Sequence, residues 1–366
     1  MKNKIHQYSK KRLRDYGIEI GILQPGNKNA ITDVEGVQVG HTTLIKADSI
    51  RTGVTAILPH QQNIFKFKVP AAIYMGNGFG KLIGYSQVQE LGNIETPIIL
   101  TNTLSAPTAS NALISYTLEQ SGNEKVKSVN PIVGETNDGI LNDIRGRHIT
   151  ETHVLDAIKK ALPGKVEEGN FGAGTGTVCF GFKGGIGTSS RLVSELWGKY
   201  TVGVLVQTNF GGILEINGVP IAKELNQLIY DDYTNADGSC MIVVITDAPL
   251  DARNLRRVAK RAMLGLAKTG GIASNGSGDF VIALSTYKKN LVDHSQNNTI
   301  HQQEVLPNEK MTPLFLATIE ATEEAILNSL FAAEDMNGHK NRRIEGIPKQ
   351  LILDTLKKYG RKITPR

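Results

Sequence analysis

In Asp237-Gly238-Ser239-Cys240-Met241-Ile242-Val243-Val244-Ile245-Thr246-Asp247, a polar start runs through one serine into an unbroken apolar run. Six apolar residues follow Ser239 without a polar interruption, and four of them are β-branched, which predicts a buried strand. Pro249, just beyond, cannot continue a ladder and leaves room for a helix to begin. Ahead of the strand, Asp231 to Gly238 is polar and turn-forming, and it reads as an exposed, mobile linker. Ser239 therefore stands at the mouth of a central strand, directly behind a glycine. By itself, Gly-Ser-Cys reads as a loop serine at a strand start. If the chain breaks at Gly238-Ser239, however, the freed serine carries a nucleophilic hydroxyl and an α-amino group titrating near pH ~8. Such a group can act as its own base.

Working outward, other apolar runs also end in polar residues. Tyr200 to Gln207 is a strong strand that closes on Thr208 and Asn209 beside Phe210-Gly211-Gly212. A strand-end Asn is ordinary turn chemistry, yet its amide N–H is also a donor suited to a developing oxyanion. Ser274-Asn275-Gly276-Ser277-Gly278-Asp279 feeds the run Phe280 to Thr286. Ser277 and Asp279 alternate across one glycine, so in a strand they share a face. They either close a turn or orient a neighbouring amine or hydroxyl. Pro131 to Gly134 leads into Glu135-Thr136-Asn137-Asp138-Gly139, where Glu135 taken alone reads as an exposed turn residue.

Further strands are expected at residues 31–42, bent or as a hairpin, and at 51–59, 71–75 and 98–103. Gly76-Asn77-Gly78-Phe79-Gly80 suggests a tight turn, and residues 81–91, 109–120 and 151–161 have helical spacing. The glycines of 169–177 invite comparison with a phosphate cradle, but no Gly-Lys-Ser/Thr closes the loop and no helix follows. A loop, a strand at 178–183 and a second glycine-rich turn at 184–191 are predicted instead. Leu255, Val258, Ala259, Ala262, Met263 and Leu266 predict a helix on a sheet, with a solvated basic face of Arg253, Arg256, Arg257, Lys260 and Arg261. Residues 288–310 read as a hydrophilic insertion. Leu314 to Ala333 is a long helix with an apolar stripe that Thr322 interrupts, and Ile347 to Tyr359 is a shorter one.

Composition narrows the classes. A 366-residue chain can bury a large core as one domain, and residues 1–30 read as a basic arm ahead of a single domain at 31–366. The charge of +6 gathers at the termini without an Arg–aromatic stripe, which argues against nucleic acid as a partner. Cys179 and Cys240 form no disulfide framework and no metal pattern. The charged amino terminus lacks a secretory core, and no stretch is apolar enough to span a membrane, so a cytoplasmic protein is expected. Irregular alternation of helices with strands apolar on both faces points to a layered α/β domain. Glu135, Asn209, Ser239 and the Ser277–Asp279 pair all lie at ends of buried strands, where one pocket can gather them.

Five segments in chain order resemble the DmpA/BapA family, the L-aminopeptidase D-Ala-esterase/amidases and β-aminopeptidases. They are Gly-Glu-Thr-Asn-Asp-Gly, Leu-Asn-Asp-Ile-Arg-Gly, Gly-Ala-Gly-Thr-Gly-Thr, the stretch from Asp237 to Leu250, and Asn-Gly-Ser-Gly-Asp. The resemblance runs from about Gly36 to the last long helix. It implies an αββα sandwich similar to the N-terminal-nucleophile hydrolases with different connectivity, no metal or other cofactor, and a homo-oligomer, by resemblance a tetramer. It implies self-cleavage between Gly238 and Ser239 into chains of residues 1–238 and 239–366. Ser239 then becomes the nucleophile and its own amine the base. Ser277 and Asp279 match the family's serine–carboxylate pair, although β-aminopeptidases often carry Glu where this chain has Asp279. Asn209 matches the oxyanion asparagine, and Glu135 the carboxylate that holds the free amino group of a small peptide, amide or ester. The alternatives are an acyltransferase like the ornithine acetyltransferases, which place threonine rather than serine at the new terminus, and a non-enzymatic binding protein.

Overall fold

The computed structural model describes residues 11–225, 238–294 and 299–364. The first part of the chain forms β1 (Gln38–Lys46), β2 (Ile50–Leu58), β3 (Phe67–Gly78), β4 (Leu82–Ile83), α1 (Tyr85–Leu91), β5 (Asn93–Ile94), β6 (Ile98–Asn102), α2 (Ala106–Leu118), β7 (Ile132–Thr136) and α3 (Glu151–Lys159). Then come β8 (Val178–Cys179), β9 (Phe182–Lys183), β10 (Ile186–Leu192), β11 (Thr201–Asn209) and α4 (Ile221–Glu224). The last part holds β12 (Ser239–Thr246), α5 (Ala252–Lys268), β13 (Gly278–Ser285), β14 (Val292–Asp293), α6 (Thr312–Phe331), β15 (Met336–Gly338), β16 (Arg342–Ile344) and α7 (Lys349–Lys358).

Two mixed sheets stack face to face. One runs β1-β2-β6-β7-β4 and the other β10-β11-β12-β13-β3-β14, with β5 paired to β3. Their inner faces meet in an apolar layer that includes Ile57, Leu100, Leu205, Met241, Val243 and Ile282. Helices α2 and α3 cover the outside of the first sheet, and α5 and α6 the outside of the second. The αββα sandwich follows from residue pattern. β12 pairs antiparallel with β11 and parallel with β13, so both its edges and both its faces are covered. Only an unbroken apolar run suits that position. Asp251 caps α5 by accepting from the Asn254 N–H, and the buried stripe Leu255, Val258, Ala259, Ala262 and Leu266 turns to the sheet.

Four of the expected secondary-structure elements change. The 178–183 segment is two short strands folded back on each other at Phe180 and Gly181, which both have positive φ (51° and 77°). The glycine-rich 184–191 segment is no turn: β10 pairs with β11 from Ile186 to Leu192, and its glycine at 187 lets α6 approach. β3 runs through the glycines as far as Gly78, and α1 begins only at Tyr85. α6 is no amphipathic surface helix, since almost all of it from Ala317 onward is buried, including Glu320, Glu323 and Glu324.

What covers α6 is the supposed arm. From Lys11 on, residues 11–34 lie on the domain, with Leu13, Ile18, Ile20 and Ile31 in the core. Arg14 pairs with Glu324, and the Ile22 and Leu23 N–H groups donate to Glu320. The 169–177 glycines are packing devices: a Cβ on Gly53 would meet Gly172 O at 2.2 Å, so loop and β2 touch backbone to backbone. The predicted linker at 231–237 lies outside the described residues. Among those described, no helix is long and apolar enough to cross a membrane.

Candidate active site

Register brings the strand-end residues together. Asn209 on β11 pairs with Ser239 on β12, Ser239 pairs with Gly278 on β13, and Gly278 pairs with Gly78 on β3. β12 starts at Ser239 itself. Side chains at 239, 241 and 243 alternate onto the inter-sheet face, so Ser239 looks into the sandwich above Met241. Its hydroxyl donates to the Gly238 carbonyl at 2.7 Å. The Gly278 N–H donates to that same carbonyl at 3.0 Å and to Ser239 Oγ at 3.2 Å. One backbone donor therefore serves both partners of the bond in question, and no side-chain pattern in the sequence signals it.

Space around this pair admits only glycine. A Cβ on Gly238 would lie 2.1 Å from Asn209 O, and one on Gly278 would lie 2.4 Å from Phe79 O and 3.2 Å from Ser239 Oγ. The Val178 N–H donates to Asn209 Oδ1 at 3.0 Å. That contact fixes the amide's orientation and leaves its NH2 as the donor toward the site. The hairpin of β8 and β9 thus positions Asn209, and the Phe180 N–H holds Phe210 O beside it at 2.8 Å.

Asp279 and Ser277 reach the strand end from the other side. Alternation puts Phe280 and Ile282 between the sheets and Val281 on the helix side, which is also the side of Asp279 and of its register partner Cys240. Both residues are 1% exposed, and among the described residues neither Ser277 Oγ nor either Asp279 oxygen has a hydrogen-bond partner. Burial pushes the Asp279 carboxyl up to about 6, with the nearby Ser277 hydroxyl and Cys240 N–H pulling weakly the other way without reaching hydrogen-bond geometry.

Glu135 comes from the other sheet. It is 3% exposed rather than a surface turn residue. Its carboxylate accepts from the Lys81 N–H at 2.9 Å and from the Thr103 hydroxyl. The Phe79–Lys81 segment connects it to the serine: the Phe79 N–H donates to Ser277 O, and a Cβ on Gly80 would sit 3.1 Å from Glu135 Oε1 and 3.8 Å from Gly278 Cα. Register thus brings Asn209, Ser239, Ser277 and Asp279 to one end of the second sheet, with Ser239 on its inner face and Asp279 on the helix side, and Glu135 approaches that end from the first sheet.

Groups the sequence did not single out lie beneath them. Gln207, two residues before Asn209, donates to Thr101 O, Thr136 Oγ1 and Ala173 O and so ties the two sheets together under the site. Asp138 is held by Asn142, and burial pushes its carboxyl up to about 7 despite Thr52, Asn142 and Lys183. Lys183 donates to Gly174 O and Gly184 O, which anchors the base of the hairpin that holds Asn209.

The family model "Peptidase family S58" matches residues 29–344. The chain belongs to peptidase family S58. The S58 chain is 40% identical to the beta-peptidyl aminopeptidase BapA of Sphingosinicella microcystinivorans, over 96% of this chain and 93% of that one. It superposes on the PH0078 protein from Pyrococcus horikoshii OT3 with a TM-score of 0.90 and 49% identity, covering 96% of this chain and all of that one. It superposes on the L-aminopeptidase D-Ala-esterase/amidase of Ochrobactrum anthropi with a TM-score of 0.88 and 35% identity, over 96% and 99% of the two chains. That structure is described as a prototype for the serine aminopeptidases and a new variant among the Ntn hydrolase fold. The S58 chain is a hydrolase of this serine aminopeptidase type, built on the same layered α/β fold. The acetyltransferase and scaffold alternatives have no counterpart in these relatives.

Proposed function

We propose that the chain cleaves itself between Gly238 and Ser239 and then removes N-terminal residues from small peptides, amides or esters, with Ser239 as nucleophile. The observation that carries this is the Ser239 hydroxyl 2.7 Å from the Gly238 carbonyl, both held by the Gly278 N–H. In self-cleavage, Ser239 Oγ bonds to the Gly238 carbonyl carbon, the C–N bond breaks, and the hydroxyl proton passes to the departing Ser239 nitrogen. Water then hydrolyses the ester, leaving Gly238 as a carboxylate and Ser239 with a free amine. The Gly278 N–H donates to the carbonyl oxygen as it gains charge.

In turnover, the new amine takes the hydroxyl proton as Ser239 attacks the substrate carbonyl, and the Asn209 amide meets the oxyanion. Ser277 and Asp279, unpartnered among the described residues, hold the amine in place. Glu135 binds the substrate's cationic amino group, because a buried carboxylate beside the scissile carbonyl selects a free N-terminus. The relatives described as beta-aminopeptidases support β-residues as one substrate class. A cytoplasmic location and a homo-oligomer, a tetramer by resemblance, complete the proposal, and light scattering on the purified protein tests the assembly.

Intact mass tests the core of it. The 39.7 kDa chain is expected to give pieces of roughly 26 and 14 kDa, with Ser239 as the new amino terminus. Ser239→Ala is expected to stay whole and to lose at least about 10³-fold in kcat/KM on aminoacyl amides. A whole wild-type chain that hydrolyses these amides as fast as the cleaved one overturns the proposal.

A further inference from the structure

The basic helix noted in the sequence has no part in the aminopeptidase chemistry. α5 carries Arg253, Arg256, Arg257, Lys260 and Arg261 within its first ten residues, met at its start by the N-cap Asp251, which lies 3.8 Å from Arg253. Cations near a helix N-terminus oppose the macrodipole, and like charges three or four residues apart repel one another. Some are compensated. Arg257 and Arg261 lie over the Phe315 ring at 5.1 and 4.0 Å, and Arg253 and Arg257 donate to Asn308 Oδ1. Arg256 and Lys260 are exposed and, among the described residues, meet no acceptor, carboxylate or ring.

These cations wall a cavity of about 530 Å³. Its floor is apolar: β3 supplies Ala71, Ala72 and Tyr74, and α1 supplies Val88 from the opposite side. It lies apart from the serine. Ala72 pairs with Ala283, five residues along β13 from Gly278. That is roughly 17 Å at about 3.3 Å per residue. α5 also packs on the helix side of the sheet, whereas Ser239 faces the other sheet.

We propose that this cavity binds a small amphipathic organic dianion of the aryl phosphate type. The apolar body rests on Ala72, Val88 and the Tyr74 ring. The phosphate is held by the Arg256 guanidinium, whose planar fork donates to two oxygens at once, and by the Lys260 ammonium. Binding also offsets the repulsion along α5, which is a physical reason for so many cations on one face.

Titration calorimetry of 1-naphthyl phosphate into the full-length protein tests this, with inorganic phosphate and 1-naphthol as the two halves of the ligand. The whole ligand is expected to bind at least about tenfold more tightly than either half, and more weakly as salt rises. R256E/K260E is expected to lose at least about tenfold in affinity, and the neutral pair R256Q/K260Q somewhat less, with kcat/KM of the aminopeptidase unchanged in both. Naphthyl phosphate binding no tighter than inorganic phosphate, or unchanged binding by R256E/K260E, overturns the proposal. A lower sedimentation coefficient for R256E/K260E would mark this face as a contact between copies of the chain and would also overturn it.

Discussion

Two buried carboxylates on the helix side of the same sheet, Glu324 and Asp279, have opposite surroundings. Arg191 Nη2 lies 2.7 Å from one Glu324 oxygen and Arg14 Nε 2.7 Å from the other, and the Asn29 amide donates to the carboxylate as well. Burial alone would push the Glu324 carboxyl up, but the two guanidinium groups outweigh it and hold it below the usual range. Asp279 has no such partner, and burial pushes it up to about 6. Buried charge with complete pairing is architecture. Buried charge without pairing marks a place where chemistry can supply the partner, in the proposed function the amine that cleavage creates.

Removing Arg191 breaks the paired side of this contrast most severely. Arg191→Met strands Glu320 and Glu324 without their shared guanidinium, and a loss of about 3–5 kcal/mol in denaturant unfolding is expected. In the proposed cleaved protein the same pairs join residues 1–238 to 239–366, so the two pieces should also separate at lower denaturant. A loss under about 1 kcal/mol would show that the network is not what holds α6 in place.

Glu135→Gln sharpens the contrast from the substrate side. It keeps the shape and the bond from the Lys81 N–H while removing the charge, and the new amide NH2 turns the Thr103 hydroxyl from donor to acceptor. KM for substrates with a free amine should rise by about 10–100-fold, with stability little changed. Equal losses for N-acetylated and free-amine substrates would remove Glu135 from amine binding.

The pH dependence of stability is the finest probe. Asp279's folded pKa is raised, so its contribution is fully present below the ordinary value of 3.8 and is lost as pH rises through about 6. Glu324's folded pKa is lowered, so its contribution is present above the ordinary carboxylate value and is lost as pH falls through the folded one. Uncleaved Ser239→Ala protein should therefore lose more stability between pH 4 and 6 than Ser239→Ala/Asp279→Asn. Superimposable pH profiles of the two would place Asp279 in a solvated, ordinary setting.

Much of the fold was legible because it is local. The runs of β6, β11 and β12 are apolar on both faces over most of their length, and α5 carries its stripe at helical spacing. The strand-end polar residues could be read as one pocket because such ends converge. The failures share another cause. β10 is rich in small and polar residues and extends because β11 pairs with it, a non-local gain that outranks its weak local preference. α6 has three glutamates that look solvent-facing, and their cations come from residue 14 or 191 or, for Glu323, from Lys268 on α5. Glu135 looked exposed because its donors, Lys81 and Thr103, lie more than thirty residues away.

Sequence alone determined the layered α/β class, the serine behind a glycine at the mouth of a buried strand, and the polar residues that close the neighbouring strands. Hydrophobic periodicity and residue chemistry are properties of neighbours in the chain. Tertiary structure alone decided that the Gly278 N–H reaches both Ser239 Oγ and the Gly238 carbonyl, that Asp279 stands unpaired while Glu324 is saturated, and that residues 11–34 roof α6. Each of these depends on strand register and on contacts between residues distant in the chain, which fix where a backbone donor points and whether a buried charge finds its partner.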